Sequence, residues 1–183
     1  MQSFVHLHVH SHYSLLDGLT KIPDLVRAAK ERKFTALALT DYGSMYGAIE
    51  FYEACRKAEI KPIIGMEAYV ATNGRFSKQA HLDAHAPHLI LLAENYEGYK
   101  NLMWLSSKGH LEGFYYHPRI DRELLREHHQ GLIALSGCMA GELAGAVRAD
   151  DSLARAKEIA EEYRGIFGDG NFYIELQDHP ELD

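Results

Sequence analysis

The chain has 183 residues, of which 46% are hydrophobic, and a formal net charge of −7 at pH 7. This length suits a single domain with a core of ordinary size. No run of Lys or Arg interrupts the acidic balance, so we do not expect a free-standing nucleic-acid binder held by a basic surface. The acidic charge does not exclude a nuclease, because bound metal ions supply positive charge locally.

The two cysteines, Cys55 and Cys138, lie far apart and do not form a disulfide framework. We therefore expect a reducing, cytoplasmic setting. The N-terminus lacks the basic and apolar regions of a signal peptide, and no apolar run is long enough to span a bilayer. We expect no membrane partner.

Residues 5–10 alternate strictly between apolar residues and histidines. This pattern predicts a half-buried strand, on which His8 and His10 share a face about one ligand spacing apart. A polar loop follows and ends in Asp17-Gly18. Such residues could simply form the wet face of an edge strand. The number of histidines and the nearby carboxylate favour a divalent transition metal instead.

The rest of the chain predicts helices and strands in alternation. Further strands are predicted at residues 35–40, 61–70, 88–93, 131–138 and 172–176. Helices are predicted at 23–33 and 45–58, from Asn95 through Met103, at 121–128, around Gly141 and Gly145, and from Ser152 to Gly168. Residues 71–87 and 109–120 are predicted as loops. This order predicts parallel strands joined by right-handed helical crossovers, in a barrel or an open sheet.

Polar residues follow several of the predicted strands at their C-terminal ends, where barrel folds place their sites. Glu67 lies inside an otherwise apolar strand, an expensive position unless the carboxylate is paired or binds a cation. His88 is the exception, because it opens its predicted strand. A shifted strand start would bring it to the same edge as the others.

Three segments together resemble a PHP (polymerase and histidinol phosphatase) domain. They are the histidine-rich opening at residues 4–18, Ala-Leu-Thr-Asp at 38–41 and Lys-Pro-Ile-Ile-Gly-Met-Glu at 61–67. Later phrases at 111–116, 131–138 and 175–179 are similar to the N-terminal PHP domain of bacterial DNA polymerase III alpha subunits. The resemblance covers residues 1–183 as one PHP domain, without palm, fingers or thumb sequence.

The resemblance implies a distorted seven-stranded β/α barrel that carries up to three divalent ions at the C-terminal ends of its strands. Matched residue by residue, the metal ligands it implies are His8, His10, Asp17, Glu67, His88 and Cys138. Taken from its local context alone, Cys138 could equally be a small buried residue in a tight turn. Mixed imidazole, carboxylate and thiolate ligands suit zinc, manganese or iron more than magnesium.

Two departures from the family pattern weaken the predicted site. Position 42 is Tyr where the metal-replete members have His, and a phenol at its normal pKa is a poor ligand. The family's final Asp-x-His ligand pair lies on a later strand that this sequence does not reach. We therefore expect a barrel that is incomplete at its C-terminal end, with fewer than three metals.

The resemblance implies a metal-dependent phosphoesterase that acts as a 3′–5′ proofreading exonuclease on DNA. We assign no side-chain general base, because clustered divalent ions can themselves acidify water. A second hypothesis is a non-catalytic module that supports the remaining polymerase domains and docks a separate proofreading exonuclease or other replisome subunits. A third is a stand-alone phosphatase for a small monoester, against which the phrases at 111–116 and 136–138 argue.

Overall fold

A computed structural model describes residues 4–149 and 153–178. The helices are α1 (Ile22–Glu31), α2 (Ala48–Lys57), α3 (Ala80–Asp83), α4 (Tyr96–Leu111), α5 (Arg122–Glu127), α6 (Glu142–Ala149) and α7 (Ala154–Phe167). The strands are β1 (Ala36–Leu39), β2 (Lys61–Val70), β3 (His88–Ala93), β4 (Arg119–Ile120), β5 (Leu132–Leu135) and β6 (Phe172–Tyr173). The predicted helix start at Ser152 lies outside the described residues.

The strands form one mixed sheet in the order β1-β2-β3-β5-β6, with β4 beside β2. Within the described residues this sheet is not closed, which confirms the predicted α/β class and an incomplete barrel. Strand β4 lies within the predicted loop at 109–120, and β6 is shorter than predicted. No helix in the described ranges combines the length and apolar character that a membrane crossing requires.

The prediction of an all-parallel sheet is wrong at β3, which runs antiparallel to both β2 and β5. The cause is the connection at 71–87, whose only helix is the four-residue α3. A parallel return needs a crossover that carries the chain back along the sheet. Here the Val70 N–H donates to the Pro87 carbonyl at 2.8 Å, so the chain re-enters the sheet beside the point where it left.

The predicted opening strand is also wrong as a regular strand, because residues 4–10 form no continuous ladder. The Ala38 N–H donates to the His6 carbonyl at 3.0 Å, and the Thr40 N–H donates to the Val9 carbonyl at 2.8 Å. Two steps along β1 therefore face three steps along the opening segment, as in a bulge. The Val9 N–H donates instead to the Thr40 hydroxyl at 2.9 Å. The segment still lies against β1.

Two main hydrophobic clusters pack the helices against the sheet. One joins β2, β3 and β5 to helices α4, α5 and α7, and the other joins β1 to α1 and α2. Cys55 belongs to the second cluster and is fully buried, so it acts as a small core residue. The strands that carry the predicted ligands therefore pack against a hydrophobic core.

The loop after the opening segment is held by a buried carboxylate. Asp41 follows β1 and accepts hydrogen bonds from the Ser11 N–H at 2.7 Å, the Ser11 hydroxyl at 2.8 Å and the Ser14 hydroxyl at 2.6 Å. The loop closes tightly, because a Cβ at Gly18 would lie 1.8 Å from the Ser11 carbonyl oxygen. Only glycine fits there, which explains the residue at position 18.

Residues 71–87 are ordered by a buried arginine, although their sequence has no periodicity. The Arg119 side chain is 1% exposed and donates to the carbonyls of Gly113 at 3.0 Å and Ser77 at 2.6 Å. The Asp83 carboxylate lies 3.8 Å from this guanidinium and accepts from the Ser77 hydroxyl at 2.6 Å. The excursion is therefore tied to β4.

Replacing Asp41 with Ala should destabilise the fold by about 3 kcal/mol, because three buried donors lose their charged acceptor. Chemical denaturation measures this change. Asp24, whose ion pair with Arg27 is exposed, provides the control, and Asp24→Ala should cost less than about 0.5 kcal/mol. Equal stability losses in the two variants would contradict the proposed role of Asp41.

Candidate metal centre

Three histidines converge on the buried carboxylate of Glu67. Its side chain is 0% exposed, near the end of β2. One oxygen, Oε2, lies 2.7 Å from His8 Nε2 and 2.5 Å from His10 Nε2. The other, Oε1, lies 2.7 Å from His88 Nδ1. The opening segment, β2 and β3 thus each place a ligand-type atom at one point.

The antiparallel direction of β3 explains why His88 reaches the site. In the register of β2 and β3, Tyr69 pairs with His88 and Glu67 pairs with Ile90. The first residue of an antiparallel strand lies at the same sheet edge as the last residues of its neighbour. No shifted strand start is needed, since β3 begins at His88 itself.

The electrostatics of the cluster balance one buried negative charge against imidazoles. Burial alone would raise the pKa of Glu67, but hydrogen bonds from His10, His8 and His88 outweigh it and hold that pKa well below its usual range. Burial would lower the pKa of His8, but hydrogen bonds to Glu175 and Glu67 raise it to about 10. Protonated His8 therefore balances part of the buried negative charge of Glu67.

The donor set fits a divalent cation. The ligand atoms of His8, His10 and Glu67 all lie within 4.8 Å of one another. Two imidazole nitrogens and a carboxylate form a common partial ligand set of zinc, and the same donors suit manganese and iron. A cation at this point would balance the charge of the buried Glu67 carboxylate.

Asp17 and Cys138, the other two implied ligands, lie outside this group of three. Asp17 is exposed, and Cys138 is half-buried. Burial and the charge of Glu67 are the main causes that raise the pKa of Tyr42, and Asp17 and Cys138 add smaller contributions, so both lie in the region of Tyr42. Their coordination of a metal stays a prediction.

The turn that carries Cys138 packs against the start of β3. Gly137 has a φ of +76°, and a Cβ there would lie 3.2 Å from the His88 carbonyl oxygen. The His88 N–H donates to the Ala140 carbonyl at 3.0 Å. The small residues of this turn therefore let it support the backbone of His88.

Tyr42 occupies the position where metal-replete relatives are expected to carry His. Its ring centroid lies 4.2 Å from that of His10 and 5.4 Å from that of His88. Burial and the charge of Glu67 raise the pKa of this phenol above its ordinary value. Tyr42 therefore stays protonated and fills space beside the ligands without offering a strong ligand atom.

Glu175 is a site residue that the sequence reasoning missed. Its Oε1 lies 2.8 Å from His8 Nδ1, on the side of the ring opposite Glu67. The available signal was the one that singled out Glu67, namely an acidic residue within a predicted apolar strand, here 172–176. Strand β6 ends at Tyr173, and Glu175 lies just beyond it.

Residues 6–179 match the PHP domain family. The chain belongs to this family. It is 52% identical over 178 residues to DNA polymerase III subunit alpha from Treponema pallidum, with 97% of the chain covered. It is 49% identical over 180 residues to the same subunit from Thermus aquaticus, with 96% covered. Both matches involve the N-terminal region of the relative, and the chain spans only 15% of either relative's length.

A solved structure supports the PHP fold. The structure of a candidate metal-dependent phosphoesterase from Bifidobacterium adolescentis superposes with a TM-score of 0.53 at 11% identity. The match covers 97% of this chain and 78% of that one. At this identity the likeness shows the fold alone.

Replacing both His8 and His10 with Ala should strip bound divalent metal and lower the thermal stability of the metal-loaded protein. Glu67 would keep only His88 among its three imidazole partners. Elemental analysis after dialysis measures the metal content. His81→Ala, which removes an exposed histidine of α3 outside the cluster, is the control and should leave the content unchanged. Unchanged metal in the double variant would refute the assignment.

Proposed function

We propose that this chain, residues 1–183, is the PHP domain of a bacterial DNA polymerase III alpha subunit and hydrolyses phosphodiester bonds at the 3′ end of DNA. The convergence of His8, His10 and His88 on the buried Glu67 is the observation that carries the proposal. In this setting the domain works in the cytoplasm beside the remaining polymerase domains and other replisome subunits. The similarity to alpha subunits across nearly the whole chain supports that setting.

Zinc, manganese or iron would be held by His8, His10 and Glu67, with His88 on the second oxygen of Glu67. A divalent ion there would supply positive charge to the phosphate and acidify water. The protein's own part is to fix the ligands, because Glu67 is fully buried and each of its oxygens faces imidazole. Tyr42 covers one side of His10 and limits the space available to further ions.

A cavity beside the metal centre is large enough for a nucleotide. Its volume is about 540 Å³, and His88 forms part of its wall. His85, His117 and Arg148 also line it and offer donors to a phosphate. The one carboxylate in the lining, Glu142, accepts two hydrogen bonds from Arg122 at 2.7 Å, which offset its charge. This lining supports an anionic substrate in a chain whose net charge is −7.

A non-catalytic scaffold is the second candidate, and Tyr42 is the observation that favours it. A neutral phenol beside His10 leaves the site with fewer strong ligands than the metal-replete family pattern. In this alternative the buried cluster only stabilises the domain, which then supports the polymerase or docks a separate proofreading exonuclease. Activity measurements separate the two candidates.

Incubation of the full chain with 3′-mismatched DNA and manganese or zinc should release nucleotides from the 3′ end. The release should fall to the level of a chelator-treated sample in the His8→Ala, His10→Ala double variant, because the ion loses its ligands. Gel analysis of end-labelled DNA measures the shortening. Metal binding without any metal-dependent shortening would favour the scaffold.

Tyr42→His should increase the amount of metal bound per chain. The new imidazole would lie beside His10 and near His88, where the phenol ring now lies. Elemental analysis at matched free metal concentrations measures the change. Tyr42→Phe controls for loss of the hydroxyl alone and should bind as much metal as the unchanged protein. An equal metal content in the His and Phe variants would show that position 42 does not face the ion.

A further inference from the structure

We infer that Glu175 is a positioning residue of the metal centre, which holds His8 in the tautomer that presents Nε2 to the ion. The inference rests on the proposed metal centre and adds a residue to it. The resemblance to the family implied six ligands, and Glu175 is not among them. Its role would be exerted through His8, without direct coordination.

The two nitrogens of His8 face two different carboxylates. Nδ1 lies 2.8 Å from Glu175 Oε1, and Nε2 lies 2.7 Å from Glu67 Oε2. A carboxylate accepts but cannot donate, so Nδ1 carries its hydrogen toward Glu175. In a neutral His8 with its hydrogen on Nδ1, the lone pair lies on Nε2, the nitrogen that faces Glu67 and would face an ion held there. Carboxylate partners of this kind fix the ring orientation of metal-binding histidines and increase their basicity.

Glu175 is itself fixed by the pairing of β5 and β6. Its N–H donates to the Ser136 hydroxyl at 3.0 Å, and the Ser136 N–H donates to the Tyr173 carbonyl at 2.9 Å. The Gln177 amide donates to Glu175 Oε1 at 2.6 Å. The Glu175 side chain is only 11% exposed. Its carboxylate therefore has a defined direction, which a positioning role requires.

The second oxygen of Glu175 points to a further link with the ion. Glu175 Oε2 is buried and has no hydrogen-bond partner among the described residues. A buried carboxylate oxygen without a donor costs free energy. Positive charge on the far side of the His8 ring would offset part of that cost. Glu175 and a bound ion should therefore stabilise each other through His8.

A double-mutant cycle tests whether Glu175 acts through His8. Zinc affinity of the full chain is measured by competition with a chromophoric chelator. Glu175→Ala should weaken zinc binding about 10- to 100-fold, the usual effect of losing such a partner. In a His8→Ala background the same substitution should change the affinity less than about twofold, because the residue through which it acts is gone.

Two further variants keep the test decisive. Glu175→Gln retains an oxygen that accepts the Nδ1 hydrogen, so it should recover part of the lost affinity and also serves if Glu175→Ala does not fold. Leu176→Ala, which truncates the 91% exposed neighbouring side chain, is the matched control and should bind zinc like the unchanged protein. Thermal melting of the metal-free variants checks that each is folded.

The possible outcomes distinguish this inference from the proposed function. Equal losses of affinity in both backgrounds would overturn it, since Glu175 would then act without His8. Unchanged affinity in Glu175→Ala would overturn it as well. Failure of the unchanged protein to bind zinc would remove the metal centre altogether. Zinc binding with the expected cycle but without DNA hydrolysis would support the role of Glu175 and reject only the exonuclease.

Discussion

The buried carboxylate of Glu67 is the constraint on which the rest of this structure depends. A charge inside a protein is costly unless it is paired and hydrogen-bonded, and here three imidazoles contact the carboxylate at hydrogen-bond distance. Those imidazoles come from the opening segment and β3. The irregular path of the opening segment and the antiparallel direction of β3 both bring histidines to Glu67. The two hydrophobic clusters pack the strands and helices that support these residues.

Local sequence patterns were enough to find the centre of the site. His8 and His10 were recognisable from alternation, and Glu67 from the cost of an acidic residue in an apolar strand. Both signals are independent of where the strand lies in the fold, because they depend only on side-chain periodicity and on the free-energy cost of burying a charge. The opening segment has one extra residue opposite β1, but His8 and His10 still both contact Glu67.

The features that could not be read from the sequence depend on distant pairing. The direction of β3 is decided by how residues 71–87 fold back, and the sequence shows no periodicity there to indicate it. The contact between His8 and Glu175 joins residues 167 positions apart. Local composition likewise does not say how far Asp17 and Cys138 lie from the histidines around Glu67, because loops and turns determine both positions.

The contacts of Arg119 with residues 71–87 limit how far this connection could be shortened. Residues 71–87 leave and re-enter the sheet at adjacent points, so a shorter connection could span the gap without moving His88. Such a deletion would nevertheless remove the Ser77 carbonyl and the Asp83 carboxylate that face the enclosed guanidinium. An unmatched cation would then remain in the interior. A variant with a shortened 71–87 connection would thus also need a neutral residue at position 119. The length of the connection and the residue at position 119 therefore depend on each other, although they lie 32 or more positions apart in the chain.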